Sequence, residues 1–168
     1  MKIKIRYTDS SYKISTNGNM YDLRSAEDWT FAAPKLIENK VIKFDSHLIS
    51  LGIAMELPKY FEAHVIARSS LFKTTGLSLV NGISEIDGPD EDNPGYIGNN
   101  DIWHAHLIAT RAVRISKGMR ICQFKIQPCM KAPWWVKVKW LFTSTVEFVE
   151  VNELKNKDRG GHGTSGIN

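Results

Sequence analysis

Arg159-Gly160-Gly161-His162-Gly163-Thr164-Ser165-Gly166, near the carboxyl end, packs four glycines, two hydroxyls and an arginine into eight positions. Glycine has no side chain to bury and loses much backbone freedom on folding, so this composition cannot build a core. It can wrap an anion. Glycine lets backbone N–H groups approach closely, and the hydroxyls and planar guanidinium add donors suited to phosphoryl oxygens. A loose Gly/Ser terminus is the competing reading, and a phosphate site elsewhere in the chain would decide between them.

Four earlier segments carry residue types that could complete such a site. Arg68-Ser69-Ser70-Leu71 reads as a strand ending in an arginine and two hydroxyls before a short helical turn. Ser69 is the expected N-cap, with free N–H groups facing outward beside Arg68; a capped turn with a surface arginine is the plainer alternative. Asn81-Gly82-Ile83-Ser84-Glu85-Ile86-Asp87 contains a strong turn signal. Pairing residues 77–80 with 85–87 would give a hairpin with its tip at Asn81-Gly82 and a slot lined by backbone groups. Asp87 would then either accept a proton from water or cap the turn. Gly118-Met119-Arg120-Ile121-Cys122-Gln123-Phe124 reads as a turn entering a strand, with Cys122, Phe124 and Ile126 on one face and the Gln123 amide on the other. Tyr21-Asp22-Leu23-Arg24-Ser25-Ala26 is uninformative alone. Two further features point nowhere in particular. His104-x-His106 places two imidazoles on one strand face without a third ligand at useful spacing. The acidic loop 87–93 lacks the alternating ligands and distal glutamate of a calcium loop and reads as solvated, with weak cation affinity.

The elements that must position these residues are strands. Apolar residues alternate through 49–57 and 103–110, and further strands are expected at 2–7, 41–44, 63–67, 77–80, 120–127 and 146–151, separated by turns at 17–18, 93–95 and 117–118. Lys131 to Trp140 (KAPWWVKVKW) has Trp134, Val136, Val138 and Trp140 in alternation. It is read as a half-buried strand rather than a nucleic-acid platform. Many short strands imply an all-β sandwich or barrel. With 168 residues, 42% apolar content and a net charge of +4, the chain fits one domain with an anionic partner of unspecified size. No apolar run approaches the ~20 residues of a membrane span, so a cytoplasmic protein is expected. Cys122 and Cys129, the two cysteines, lack metal or redox spacing and read as buried small hydrophobes.

Taken in order, the five segments resemble the five motifs of the trimeric dUTP nucleotidohydrolases, the dUTPases. Tyr21-Asp22-Leu23-x-Ser25-Ala26 is similar to the first motif and Arg68-Ser69-Ser70-Leu71 to the second. Asn81 through Asp87 to Tyr96-x-Gly98 resembles the third, Gly118-x-Arg120-Ile121-x-Gln123 the fourth, and Arg159 to Gly166 the fifth. The resemblance covers nearly the whole chain, and its flavour is that of bacteriophage and prophage members.

It implies a jelly-roll-like β-barrel subunit, a homotrimer with active sites between subunits, and hydrolysis of dUTP to dUMP and pyrophosphate by water attack on the α-phosphate with Mg2+. Residues 1–155 would form the β domain and 156–168 a flexible arm closing over the site, on a neighbouring subunit. Asn81, Gly82, Ile83 and Ile86 would read uracil. Asp87 would orient the attacking water, and Tyr96 would pack on the deoxyribose. Arg68, Ser69, Ser70 and Gln123 would hold the phosphate chain, with Asp22 in support. Arg159, Gly161, His162, Gly163, Thr164 and Ser165 would close over the nucleotide. No direct protein ligand for Mg2+ is implied, because the phosphate oxygens hold it. A regulatory protein partner, as phage members have, is a further expectation; nucleic acid is not one.

Three positions depart from the family pattern. Ser84 stands where the family has glycine, six residues are inserted between Asp87 and Tyr96, and His162 replaces the usual stacking phenylalanine. A histidine can still stack, but it charges near ~6.5, which implies pH-dependent nucleotide affinity. Two rival readings remain open on sequence: a dCTP deaminase-like enzyme of the same fold, and a dUTP-sensing protein without turnover.

Overall fold

The computed structural model describes residues 1–16, 18–38, 41–143 and 145–161. The first half of the chain forms β1 (Lys2–Tyr7), β2 (Ser15–Thr16), β3 (Tyr21–Arg24), β4 (Trp29–Phe31), β5 (Lys35–Ile37), β6 (Val41–Lys43), β7 (Asp45–Ser50), β8 (Ile53–Glu56) and β9 (Phe61–Ala67). Then follow α1 (Leu71–Thr75), β10 (Leu77–Leu79), β11 (Ile83–Asp87), β12 (His104–Ala109), β13 (Val113–Ile115), β14 (Arg120–Pro128), α2 (Trp134–Leu141) and β15 (Glu147–Glu150).

The strands form a five-stranded sheet in the order β11-β9-β14-β3-β2, two three-stranded sheets, β15-β1-β8 and β10-β12-β7, and the pairs β13-β4 and β5-β6. They share one core, because alternation gives each strand an apolar side. Ile3 and Ile5 of β1, Ile49 of β7, Val65 of β9, Leu107 of β12 and Phe124 of β14 all lie in one buried cluster. Full burial of each such side chain contributes roughly 1.5–3 kcal/mol. Trp103 meets Phe124 edge-on at 5.3 Å. The chain is therefore all-β, with strands wrapped around a single core, although the ladders of the described residues do not close into one ring.

Several local expectations are corrected. The alternating run 49–57 is two strands, because the chain turns at Gly52 with φ +67, where a Cβ would lie 2.9 Å from both Ala26 Cβ and Thr8 Oγ1. Residues 77–80 and 85–87 do not form a hairpin ladder: β10 pairs with β12 and β11 with β9. The Asn81-Gly82 turn does exist, with Gly82 at φ +69, but its two arms enter different sheets. Cys122 is buried as expected, and burial pushes its thiol up to about 12, whereas Cys129 is only half-buried.

The largest correction is the tryptophan-rich segment. It is a helix, with Val136 buried and Trp140 packed edge-on against Phe61 at 5.3 Å. The opposite side is unusually apolar: Trp134 is 76% exposed, Leu141 79% and Phe142 82%.

Candidate active site

β-sheet alternation places the chemical residues on one surface of the five-stranded sheet. Ala63 and Val65 of β9 and Cys122, Phe124 and Ile126 of β14 face the core. Hence Glu62, His64, Gln123, Lys125 and Gln127 face the other way. Asp22 of β3 is registered with Gln123, and Glu85 and Asp87 of β11 are registered with His64 and Glu62. Ser84 opposes Val65, so it shares the side of Ile86 and not that of Asp87.

One half of the site is built around Asp22. This carboxylate, 5% exposed, accepts from Arg68 Nε at 2.9 Å through Oδ1 and from Arg120 Nη1 at 3.0 Å through Oδ2. A buried carboxylate is tolerable only when its oxygens are satisfied, and two guanidinium groups do that here. The effect is to fix the direction of Arg68 at the end of β9, beside the exposed Ser69 and Ser70. α1 begins one residue later than expected. Ser70 is its N-cap, it makes no side-chain capping bond, and Ser69 lies in the turn before it. Arg120 stands in the fourth motif, but the sequence assigns it no role; its bond to Asp22, from a place opposite Arg24 next to a bulge in β14, is a tertiary feature.

The other half is built around Asp87 at the end of β11. The loop between Asp87 and Tyr96 closes on itself, because Tyr96 N donates to Asp87 O at 2.8 Å, and it is pinned to β9 where Gly88 N donates to Phe61 O at 2.8 Å. Its two ends are glycines in contact. A Cβ on Gly95, at φ +80, would fall 2.7 Å from Gly88 C and 2.6 Å from Pro89 N. Tyr96 is thus delivered next to Asp87 despite the insertion, with its hydroxyl donating to Ile102 O at 3.0 Å and its phenol raised above 10 by burial. The loop carboxylates are committed to other work. Asp90 accepts from the Asp92 and Asn93 N–H groups and pairs with Lys131 at 3.2 Å, while Glu91 pairs with Lys59 at 3.0 Å and with the Tyr60 hydroxyl. These bonds account for the loop without a cation. Asn93, a residue missed on sequence, reaches back to Asp87 Oδ2 at 3.4 Å.

Arg159 joins this second half. Its Nη1 donates to Asp87 Oδ2 at 2.6 Å, and a Cβ on Gly161 would meet the Tyr96 ring at 3.0 Å. Asn81 and Gly82 are exposed at the turn before β11, Ile83 is exposed at its first position, and Ile86 is half-buried. His162, Gly163, Thr164 and Ser165 lie outside the described residues, as does Asn17 of the expected turn 17–18.

The halves do not meet within one chain. Gln123 is registered through Ile66 with Ile83, four residues from Asp87 and two strands away from β11. At ~3.3 Å per residue and ~4.8 Å per strand, Gln123 lies ~16 Å from Asp87 along the sheet, and Asp22 is one strand farther. Between them, Glu62, His64 and Glu85 bring one possible metal-ligand atom each to within 4.8 Å of one another. His64 Nε2 lies 2.9 Å from Glu62 Oε1, which also accepts from Gln127 Nε2 at 2.9 Å. The Glu62 carboxyl, together with desolvation, holds Glu85 above the ordinary glutamate value.

A raised carboxyl costs folding stability as pH climbs through the ordinary and then the raised value, and costs nothing where both states are protonated. Glu85→Gln is therefore expected to raise Tm by ~1–3 °C at about pH 8 and to leave it unchanged below about pH 4, the effect being small because the side chain is exposed. Thermal melts at the two pH values check this, and an equal gain at both would refute it. His104 and His106 share a face of β12, and among the described residues no third metal ligand joins them.

An all-β subunit carrying a carboxylate-locked arginine, a hydroxyl pair and an aspartate–tyrosine pair joined by Arg159 has the makings of a nucleotide-binding hydrolase. No family model matches the chain, but its relatives are clear. Over 169 residues, 99% of both chains, it is 38% identical to the SPbeta prophage-derived deoxyuridine 5'-triphosphate nucleotidohydrolase of Bacillus subtilis. It is 36% identical over 134 residues, 78% of each chain, to the deoxyuridine 5'-triphosphate nucleotidohydrolase of Clostridium acetobutylicum. The chain belongs to the deoxyuridine 5'-triphosphate nucleotidohydrolase family. Solved structures agree on the fold: a dUTPase from Streptococcus mutans (TM-score 0.57, 21% identity, 76% of this chain and 93% of that one) and the Staphylococcus bacteriophage 80alpha dUTPase with dUPNHPP (TM-score 0.59, 17% identity, 98% of each).

Proposed function

We propose that this chain hydrolyses dUTP to dUMP and pyrophosphate by in-line water attack on the α-phosphorus. The observation that carries this reading is the end-to-end identity with a prophage dUTP nucleotidohydrolase, which spans all five chemical segments. The ~16 Å between Gln123 and Asp87 supports assembly into a homotrimer in which one chain brings Asp22, Arg68, Ser69, Ser70 and Gln123 against the Asp87 and Tyr96 of another.

In that site Asp87 orients and deprotonates the water, and Tyr96 packs on the deoxyribose where a 2′-hydroxyl would clash. The turn Asn81-Gly82-Ile83 with Ile86 reads the base through backbone groups. Arg68, fixed by Asp22, places a preorganised positive charge against the phosphate chain, where positioning and charge neutralisation lower the barrier. Two guanidinium groups already neutralise Asp22, so a magnesium ion in this half would be held by phosphate oxygens rather than by that carboxylate. There it would neutralise the charge of the triphosphate. Arg159 exchanges Asp87 for phosphate when nucleotide arrives, and residues 156–168, with His162 over the base, act as the closing arm. Among the described residues no helix is long and apolar enough to cross a membrane, and we place the protein in the cytoplasm. A regulatory protein partner would find the most exposed apolar surface on α2, around Trp134, Leu141 and Phe142.

The test is pyrophosphate release from dUTP by the purified protein with magnesium, beside dCTP, dTTP and UTP. Turnover of dUTP alone is expected. Ammonia release from dCTP would favour the deaminase, and dUTP binding without pyrophosphate would favour the sensor.

A further inference from the structure

Asp87 receives both of its side-chain donors on one oxygen. Arg159 Nη1 and Asn93 Nδ2 each reach Oδ2, at 2.6 and 3.4 Å, and among the described residues no donor reaches Oδ1. The carboxylates on the same face of the sheet, Glu62 opposite on β9 and Glu85 two residues back on β11, carry the same sign and cannot hold it. The direction of Asp87 therefore depends on those two donors.

The donors differ in what else they must do. In the hydrolase reading Arg159 turns to phosphate when nucleotide arrives. Asn93 has no such duty and sits in the loop between Asp87 and Tyr96, fixed at three further points. Its N–H donates to Asp90 Oδ1 at 2.9 Å, its C=O accepts from Asp90 N at 2.9 Å, and its side-chain Oδ1 accepts from Gly95 N at 2.9 Å. With the amide oxygen spent on Gly95, the NH2 must point toward Asp87. Asp90 is anchored in turn, accepting from Asp92 N at 2.8 Å and pairing with Lys131 at 3.2 Å. A neutral amide orients a carboxylate without cancelling its charge, so the base keeps its strength. The 3.4 Å separation is long, as catalytic hydrogen bonds often are before substrate binds.

We propose that Asn93 is a positioning residue for the reaction: its amide holds Asp87 Oδ2 once Arg159 has moved to phosphate, and so keeps Oδ1 turned toward the attacking water. The residues inserted between Asp87 and Tyr96 thereby become part of the catalytic apparatus. This rests on the hydrolase reading.

Steady-state pyrophosphate release from dUTP with magnesium, followed across pH, tests it in three variants. Asn93→Ser keeps a hydroxyl able to accept from Gly95 N but too short to reach Asp87; kcat should fall ~5–20-fold with KM within about twofold of wild type. Asn93→Asp keeps the Gly95 bond and both backbone bonds to Asp90, and puts a like charge where the donor was. The acid limb of its kcat/KM profile should move up by ~1 pH unit. Arg159, Glu62 and Glu85, the other charges facing Asp87, are common to all variants, so that shift reports the substituted position. Glu91→Gln weakens the loop's bonds to Lys59 and the Tyr60 hydroxyl and leaves the Asn93 contacts alone; its kcat should stay within about twofold of wild type. Wild-type kcat in Asn93→Ser, or an unmoved acid limb in Asn93→Asp, would overturn the proposal. So would a Glu91→Gln variant as slow as Asn93→Ser, because general rigidity of the loop would then be the cause. A wild-type protein that releases no pyrophosphate would sink the hydrolase reading itself, whereas wild-type turnover matched by Asn93→Ser would sink the positioning role alone.

Discussion

Asp87→Asn is expected to lower kcat for dUTP by ~10²–10⁴ while changing KM little, because it removes a group that acts on the attacking water and leaves the nucleotide's other contacts in place. The substitution is nearly isosteric and keeps one oxygen to accept from Arg159 or Asn93, the two side chains that now reach Asp87 at 2.6 and 3.4 Å. The fold should survive. The Arg159–Asp87 pair has side chains 36% and 39% exposed, and ion pairs in that regime contribute about 0–1 kcal/mol. For a chain of this size that is at most ~4 °C in Tm. Steady-state kinetics alongside a thermal melt separate the outcomes. A kcat within about threefold of wild type would remove Asp87 from the reaction and leave it a turn residue, the other sense in which its position can be read.

How far the sequence reveals this arrangement depends on which force sets each feature. Alternation in 2–7, 63–67 and 120–127 betrays β1, β9 and β14, because one face of each strand must be buried. The same rule misleads in the tryptophan-rich segment. Val136 and Trp140 are four residues apart, a spacing that serves a strand and a helix equally well, and those two are the residues that turn inward. What separates the readings is the outward face, where Trp134, Val138 and Leu141 are exposed. Lys137 and Lys139 fall between Val136, Val138 and Trp140 and so imitate a strand's alternation, while the apolar residues on the outward face blur the helical period. The hairpin expectation failed differently. The Asn-Gly turn is local and real, but strand partners are chosen by tertiary packing, and β9 and β12 claimed the two arms.

Arg68, Gln123, Asp87 and Tyr96 stand out in the sequence as candidates because each lies on a short motif. Arg120 lies on the fourth motif, but its bond to Asp22 does not show there; Asn93, Asp101 and Asp158 do not stand out, because each acts through a partner that is far away in sequence or across an irregular loop. Besides Gly98 N, three residues back, Asp101 accepts from the Arg159 and Gly160 N–H groups, 58 and 59 positions away. No window of local sequence contains that relation.

Asp22→Ala should raise KM for dUTP ~10–100-fold and lower Tm by ~3–10 °C. Both effects arise from one lost carboxylate. Breaking a buried pair by removing one partner costs ~3–5 kcal/mol when the surviving charge stays buried. Arg68 and Arg120 are 27% and 34% exposed, so they can recover part of their hydration, and about 1–3 kcal/mol is the better figure. The functional loss is separate from that cost. Without Asp22 two guanidinium groups face each other across the gap, repel, and swing toward solvent, so Arg68 no longer waits in the direction of the phosphate chain. Asp22→Asn distinguishes orientation from charge. Its carbonyl oxygen can still accept from Arg68 Nε, and its amide cannot accept from Arg120, so it should recover much of the thermal loss and only part of the KM. If Asp22→Ala melts early but binds dUTP within twofold of wild type, then Arg68 is oriented by something other than Asp22, and the clamp is a feature of the fold alone.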